Sequence, residues 1–252
     1  MASPTYTADV LILRKTRLGE SDCIIRMLDS NGCLLEGVAK GARKPRSQFS
    51  GKLELFNTAH VLAAKGRSLD IIKEARLLSS PSKSHEDPAF AAAASCICEY
   101  LGKLVQPELE VPRLYDLAVK SMSSIANSEI SNLKILVAST IIKAASIIGM
   151  RPSTRFCVEC GKTVEDLQPL HFSIESGGFV CKECSFASKA TVIPQSTIQW
   201  LDYCIMSTLD DISQARIGDI ESENLLSLAD EWESINNFAK VRSINSLRQY
   251  CP

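Results

Sequence analysis

Cys23-Ile-Ile-Arg-Met-Leu-Asp-Ser-Asn-Gly-Cys-Leu-Leu-Glu-Gly-Val-Ala39 reads as two short strands joined through Asn31-Gly32. The apolar run Cys23 to Leu28 is the first strand, and Cys33 to Ala39 is its return. Asn-Gly supplies the residue pair that a type I′ hairpin needs, because both central positions require positive φ. On the N-terminal side, Asp9-Val-Leu-Ile-Leu13 supplies a preceding strand. On the other side Leu53 to Ala63 is a fourth, and after the Lys65-Gly66-Arg67 turn Leu69 to Leu77 alternates as a fifth. Five short strands with one longer connection, between the third and fourth, fit a small barrel of the oligonucleotide-binding (OB) type. On strand count alone an SH3-like barrel fits nearly as well.

After Leu77 the pattern changes. Ser79 to Asp87 is rich in Ser and Pro and reads as a linker or helix approach. Asp87-Pro88 then suits an N-cap followed by proline at the first helical position, opening a helix to about Val105. Pro112 opens a second helix, to about Ala126, and Ser131 caps a third that stops at Gly149. Pro194 to Leu209, Glu221 to Phe238 and Val241 to Tyr250 supply the rest. The expected fold is therefore an α+β multidomain chain: an OB-fold barrel over 1–80 and a helical domain over 81–252. The third helix lies within the apolar run Asn132 to Met150, where Lys134, Ser139, Thr140, Lys143 and Ser146 would each be costly in a bilayer. A buried central helix is expected, with no membrane. Met1 to Ala8 has no basic region followed by an apolar one, so a cytoplasmic protein is expected.

The clearest chemistry is Cys157-Val-Glu-Cys160, twenty residues, then Cys181-Lys-Glu-Cys184. Two such knuckles let four thiolates converge on one tetrahedral Zn²⁺, with no open position for water, so a structural ion is expected. Gly161 and Gly177-Gly178 suit the tight turns that knuckles use. The competing reading is a pair of redox dithiols. The other six cysteines (Cys23, Cys33, Cys96, Cys98, Cys204, Cys251) follow no ligand spacing and read as reduced thiols, several of them buried.

Charge divides unevenly along the chain. Residues 1–80 hold 13 Lys+Arg against 8 Asp+Glu, a balance of +5; residues 81–252 hold 15 against 21, or −6. Within the basic part, the loop Ala39 to Ser47 places Lys40, Arg43, Lys44 and Arg46 within seven positions, and Gly41 and Pro45 keep it off a regular strand. Such a loop suits phosphate contacts, each cation releasing condensed counterions. Arg14, Lys15 and Arg17, with Lys65 and Arg67, can extend the patch. Phe49 and Phe56 are the only aromatics after Tyr6 in this region, which argues for contact to the backbone without strong base preference. No Gly-rich phosphate loop is present, His60, His85 and His171 lie far apart, and Glu20, near Ser21 and Asp22, shows no partner base and reads as a turn cap.

Taken together, these residues resemble the bacterial RecO family. Leu18-Gly-Glu-Ser-Asp22, then Asn31-Gly32, then Val38-Ala-Lys-Gly-Ala-Arg-Lys-Pro-Arg-Ser47 look like its N-terminal signature in order and spacing. Leu69 to Ala75 is similar to its final barrel strand. Gly149-Met-Arg-Pro152, Arg155-Phe-Cys-Val-Glu-Cys-Gly161 and Phe172 to Cys184 resemble its zinc-bearing segment, and Phe238 to Leu247 has some likeness to its C-terminal helix. The resemblance implies an OB-fold followed by a helical domain with an inserted four-cysteine zinc finger at about 155–187. It implies a non-enzymatic recombination mediator that binds single- and double-stranded DNA and anneals complementary strands. With the ring-forming partner RecR, such proteins help the RecA recombinase displace single-strand-binding protein. DNA binding carries onto Lys40, Arg43, Lys44 and Arg46, and further onto Arg14 and Arg17. Some members lack the four cysteines, so zinc is expected as a scaffold. The alternatives are a zinc-ribbon protein of RNA or the transcription machinery, which would carry stacked aromatics on its sheet, and a thiol redox enzyme.

Overall fold

The computed structural model of the chain describes residues 4–163, 170–186, 188–235 and 240–251. Two compact units divide it, Met1–Ala126 and Asn127–Pro252.

In the first unit, β1 (Thr5–Leu18), β2 (Asp22–Asp29), β3 (Leu34–Ala39), β4 (Thr58–Ala64) and β5 (Asp70–Ser79) close a barrel in the order β1-β2-β3-β5-β4. All pairings are antiparallel except β3 with β5, which run parallel from Gly37↔Asp70 to Ala39↔Ile72. That Greek-key closure is the OB arrangement, and it settles the choice that strand count left open. Alternate residues turn inward: Val10 and Ile12 from β1, Cys23, Ile25 and Met27 from β2, Ala39, Ala59, Val61 and Ile72 from the others.

The β2–β3 turn differs from the expected type I′. Gly32 alone takes positive φ, at +82°, and the loop is longer than two residues, since β2 ends at Asp29 and β3 begins at Leu34. The Asp29 carboxylate organises it, accepting from the N–H groups of Asn31 at 3.0 Å and Cys33 at 2.7 Å. A side-chain acceptor thus does what a second left-handed residue would otherwise do. The fourth strand begins at Thr58 and not at Leu53, because Leu53 turns into the barrel beside Phe49 to fill its end.

Where a linker or helix approach was expected, a short helix α1 (Ser82–Glu86) forms, followed by α2 (Pro88–Leu104) and α3 (Pro112–Ala126). The Asp87 carboxylate accepts from Ala89 N–H at 2.8 Å, the cap that the sequence predicts. The loop between α2 and α3 lies on the β2–β3 turn, where Leu34 N–H donates to Gln106 O at 3.2 Å.

In the second unit a 3₁₀ turn (Ile130–Asn132) leads into α4 (Leu133–Ile147), whose residues from Leu133 to Ile142 are all buried. Ser131 lies inside the 3₁₀ turn and is not the cap; the Asn132 amide instead donates to Ser213 O at 2.7 Å. Ile130–Ile147 is long and apolar enough to cross a membrane, but 72% of it is buried inside the fold. A three-stranded sheet follows, β6 (His171–Ser173), β7 (Gly178–Val180) and β8 (Thr191–Val192) in the order β7-β6-β8. Then come α5 (Gln195–Met206), α6 (Leu209–Ser213), α7 (Asp219–Ile235) and α8 (Ser243–Tyr250). The expected single helix over 194–209 is interrupted because Thr208 and Asp211 form a capping box that starts α6. The expected extension of α7 to Phe238 lies outside the described residues.

Both lysines of the apolar α4 are matched. Lys143 donates to Ile205 O and Ser207 O at the end of α5, at 3.2 and 2.7 Å. Lys134 reaches Glu223 on α7 at 3.1 Å, and Arg248 on α8 holds the other Glu223 oxygen at 2.7 Å. Burial alone would raise the Glu223 pKa, but the bonds from Arg248 and Lys134 outweigh it and hold the carboxyl below its ordinary value.

Two stability outcomes are expected. Gly32→Ala should cost about 2–4 kcal/mol by urea denaturation, since an added Cβ would sit 2.0 Å from Val111 O at a φ of +82°. For Glu223, a carboxyl with a lowered folded pKa contributes fully above the ordinary value of about 4.3 and loses that contribution as pH falls through the folded value. Parent and Glu223→Gln should therefore differ in denaturation midpoint at neutral pH and converge in acid.

Candidate nucleic-acid interface and metal centre

The connection between β3 and β4 is a chain of tight turns. Lys44 N–H donates to Gly41 O, Ser47 N–H to Lys44 O and Ser50 N–H to Ser47 O, each at 3.1 Å. Phe49 and Leu53 anchor it in the barrel, so its polar side faces solvent. Lys40, Arg43, Lys44 and Arg46 are all exposed. Lys40, Lys44, Arg46, Ser47 and Gln48, with Asp22, line an open cavity of about 480 Å³. Arg46 holds a left-handed φ of +63°, a strained state for a side-chain-bearing residue.

The β1–β2 loop is tied to this connection. Asp22 Oδ1 accepts from Gly41 N–H at 2.8 Å and from the Ser21 hydroxyl at 2.9 Å. Arg43 N–H donates to Ser21 O at 2.9 Å, and the Arg43 guanidinium to Gly19 O and Glu20 O at 3.2 and 3.0 Å. The Gly41 bond, then the Ser21 bond and the nearby Lys40 and Lys44 charges, hold the Asp22 carboxyl below its ordinary pKa. A turn cap is expected at Glu20; the side chain that reaches across to the second loop is Asp22.

Beside the cavity, the outer faces of four strands form one surface. Thr16, Ile24, Val38 and Ile71 stand in cross-strand register. Arg14, Arg26 and Glu36 make the next row. Ile24, Val38 and Ile71 are half-buried aliphatics facing out of the barrel. Arg17 is in register with the inward Cys23, so it lies on the opposite face of β1 from Arg14. Two of the six cations expected to act together are thereby separated. The row Ile24–Val38–Ile71 is missed from the sequence because single strands show inward and outward apolar residues alike.

Ion pairing sets the electrostatics. In the barrel Lys15 pairs with Glu54 at 2.8 Å, Arg26 with Glu36 at 3.4 Å and Lys65 with Asp70 at 3.3 Å. Among the described residues, none of Lys40, Arg43, Lys44, Arg46, Arg14 or Arg17 has an ion-pair partner. A surface of unneutralised cations is free to meet phosphate oxygens.

The second constellation is in the second unit. Cys157 and Cys160 precede β6, Cys181 and Cys184 follow β7, and their four Sγ atoms lie within 4.8 Å of one another. Ligand bonds of about 2.3 Å in a tetrahedron place sulfurs about 3.8 Å apart. Cys160 and Cys181 Sγ are at 3.6 Å, so the four fit one thiophilic metal ion. Gly178 allows this approach: a Cβ there would meet Ser153 O at 2.4 Å, and Ser153 N–H and O bond Gly177 and Phe179 across that contact. Desolvation raises the Cys157 pKa, but donors led by Cys181 N–H, at 3.3 Å, outweigh it and bring the thiol down to about 6. Cys184 is pushed up to about 12, first by its bond with Cys181 and then by burial. Around the knuckles Lys162 pairs with Glu183, Lys189 with Glu175 and Arg155 with Asp202. The remaining six cysteines are all buried and outside any disulfide, as small apolar groups would be.

An OB barrel bearing an unpaired cationic loop, followed by a helical unit with four clustered cysteines, defines an OB-fold protein with an attached four-cysteine module that can hold a metal ion. Comparison with known proteins narrows this. Residues 1–81 match the family described as Recombination protein O N terminal, and residues 85–234 match Recombination protein O C terminal. The chain is similar to DNA repair protein RecO of Bifidobacterium adolescentis, 32% identical over 215 residues and 82% of each chain. It is 29% identical to DNA repair protein RecO of Bifidobacterium longum strain DJO10A, over 96% of this chain and 97% of the other. It is 26% identical to that of Desulfitobacterium hafniense strain Y51, over 98% and 84%. The chain belongs to the RecO family.

Purified protein should carry one equivalent of thiophilic metal by elemental analysis. Cys160→Ser should lose it, and acid should release it as the ligands protonate.

Proposed function

We propose that this protein is a non-enzymatic recombination mediator of DNA repair. It binds single- and double-stranded DNA through the barrel, anneals complementary strands, and with RecR helps load RecA on DNA coated by single-strand-binding protein. The observation that carries this reading is the group of exposed, unpaired cations, Lys40, Lys44 and Arg46, round an open cavity beside an aliphatic strand face. Arg43 and Arg14 belong to the same DNA-binding set, and Arg17 extends it from the other face of β1. Phosphate neutralisation on two strands lowers the repulsion that opposes their pairing, and releases counterions. Aliphatic Ile24, Val38 and Ile71 offer sugars and bases a surface without the aromatic stacking that sequence-selective RNA binders use. That favours annealing of any sequence over the RNA or transcription reading.

Residues 1–80 carry the nucleic-acid work in this reading, and 81–252 the partner contacts. The four cysteines hold one structural zinc. Zinc supplies no reaction here; Cys157, Cys160, Cys181 and Cys184 fill all four positions and brace the small sheet on α5. The protein works in the cytoplasm, on the nucleoid.

Strand annealing of complementary oligonucleotides over a salt series, without nucleotide, tests the reading. Lys44→Glu with Arg46→Glu should weaken binding at least about tenfold and make the salt slope shallower by about 1.5. An unchanged rate and slope would remove the loop from the mechanism.

A further inference from the structure

The loop that lines the cavity is fixed by contacts to the β1–β2 loop of the same barrel. Its Gly41 N–H goes to the Asp22 carboxylate and its Arg43 guanidinium to the Gly19 and Glu20 carbonyls. Asp22 lines the same cavity as Lys40 and Lys44, where a carboxylate opposes any bound phosphate. Arg43 is absent from that lining, and its side chain points to the β1–β2 loop. The N–H groups of Arg46 and Gln48 have no acceptor among the described residues, and both residues line the cavity. Together with the side chains of Lys40, Lys44 and Arg46, they are donors without an acceptor among the described residues.

We infer that the loop divides its charged residues into two tasks. Asp22 and Arg43 are positioning residues that latch the β1–β2 loop to the β3–β4 connection. Lys40, Lys44, Arg46 and the Arg46 and Gln48 N–H groups form a preshaped pocket for a single backbone phosphate. This division rests on the reading of the loop as a DNA contact, and it assigns Arg43 an indirect part in it. A preformed pocket needs no loop ordering on binding, which is what the latch contributes to affinity.

The latch needs the acceptor oxygen of Asp22 and not its charge, so the amide and the methyl variants should part. Asp22→Asn keeps an acceptor for Gly41 N–H and removes the negative charge from the cavity. It should bind a single-stranded oligonucleotide about 2- to 5-fold more tightly at low salt, the effect of one exposed charge. Asp22→Ala frees Gly41 N–H. It should bind about 5- to 10-fold more weakly, the equivalent of one lost cap, and its Gly41 and Arg43 amides should exchange with deuterium faster than the parent's while the barrel strands stay protected. Arg43→Ala in the Asp22→Ala background should add little, since either change opens the same latch. If Asp22→Asn binds as weakly as Asp22→Ala, the site uses the charge and the latch is refuted. Full additivity of the two alanine changes would refute it equally, making Arg43 a direct phosphate ligand. Lys44→Glu with Arg46→Glu separates the two levels. Lost binding there with undiminished binding in Asp22→Ala sinks the latch alone, and retained binding there sinks the loop reading on which it rests.

Discussion

β1 serves two partners along one continuous strand, and the barrel closes on that double use. Thr5 to Leu11 pair with β4 and Val10 to Leu18 pair with β2, with the register slipping between Ile12 and Arg14. A bulge at that point bends the strand, as closure of so small a barrel requires. The bulge is fixed from both sides. Ile12 exchanges backbone bonds with Phe56 and Asn57, and Leu13 packs outward, where its methyl lies 3.9 Å from the site of a Cβ on Gly102 of α2. Residues beyond the bulge inherit its geometry. Arg14 joins the outer row beside Arg26, Arg17 goes to the other face, and Lys15 turns to Glu54 in the β3–β4 connection.

The parallel β3–β5 contact has the next consequence. Because β3 ends at Ala39 beside Ile72, the chain must cross the barrel end before it can return as β4. Phe49 and Leu53 are the apolar residues that allow the crossing, and they leave the polar residues of the same segment outside. The cationic loop is therefore exposed as a result of core filling. Its exposure is not a surplus of flexible chain, since successive turns along it are closed by hydrogen bonds.

Much of this was legible in the sequence where the signal is local. The Cys-x-x-Cys spacing, the Asp87-Pro88 helix start and the α4 core each depend on residues a few positions apart, and each appears in the structure. The turn at Asn31-Gly32 was legible as a turn but not as to type, because the deciding group is the Asp29 side chain. Leu53 read as the start of a strand because an apolar run cannot say whether it lies along a sheet or dives beneath it. Asp22 and Gly41 are nineteen positions apart, and Ile24, Val38 and Ile71 meet only once register is set. Long-range pairing was the information the sequence did not display, and the candidate interface consists of little else.

The same distinction separates the two charged surfaces. Around the knuckles, Lys162, Lys189 and Arg155 each pair with a carboxylate, Glu183, Glu175 and Asp202. A divalent ion held by four thiolates would bring a net charge of −2 to that region, and so oppose phosphate further. On the barrel the cations of the β3–β4 connection have no such partners, and the carboxylate that shares their cavity, Asp22, is spent on a backbone N–H. Since exposed pairs add little stability, neutralised and unneutralised cations cost the fold about the same. Leaving the loop unpaired is thus a matter of what its surface can attract.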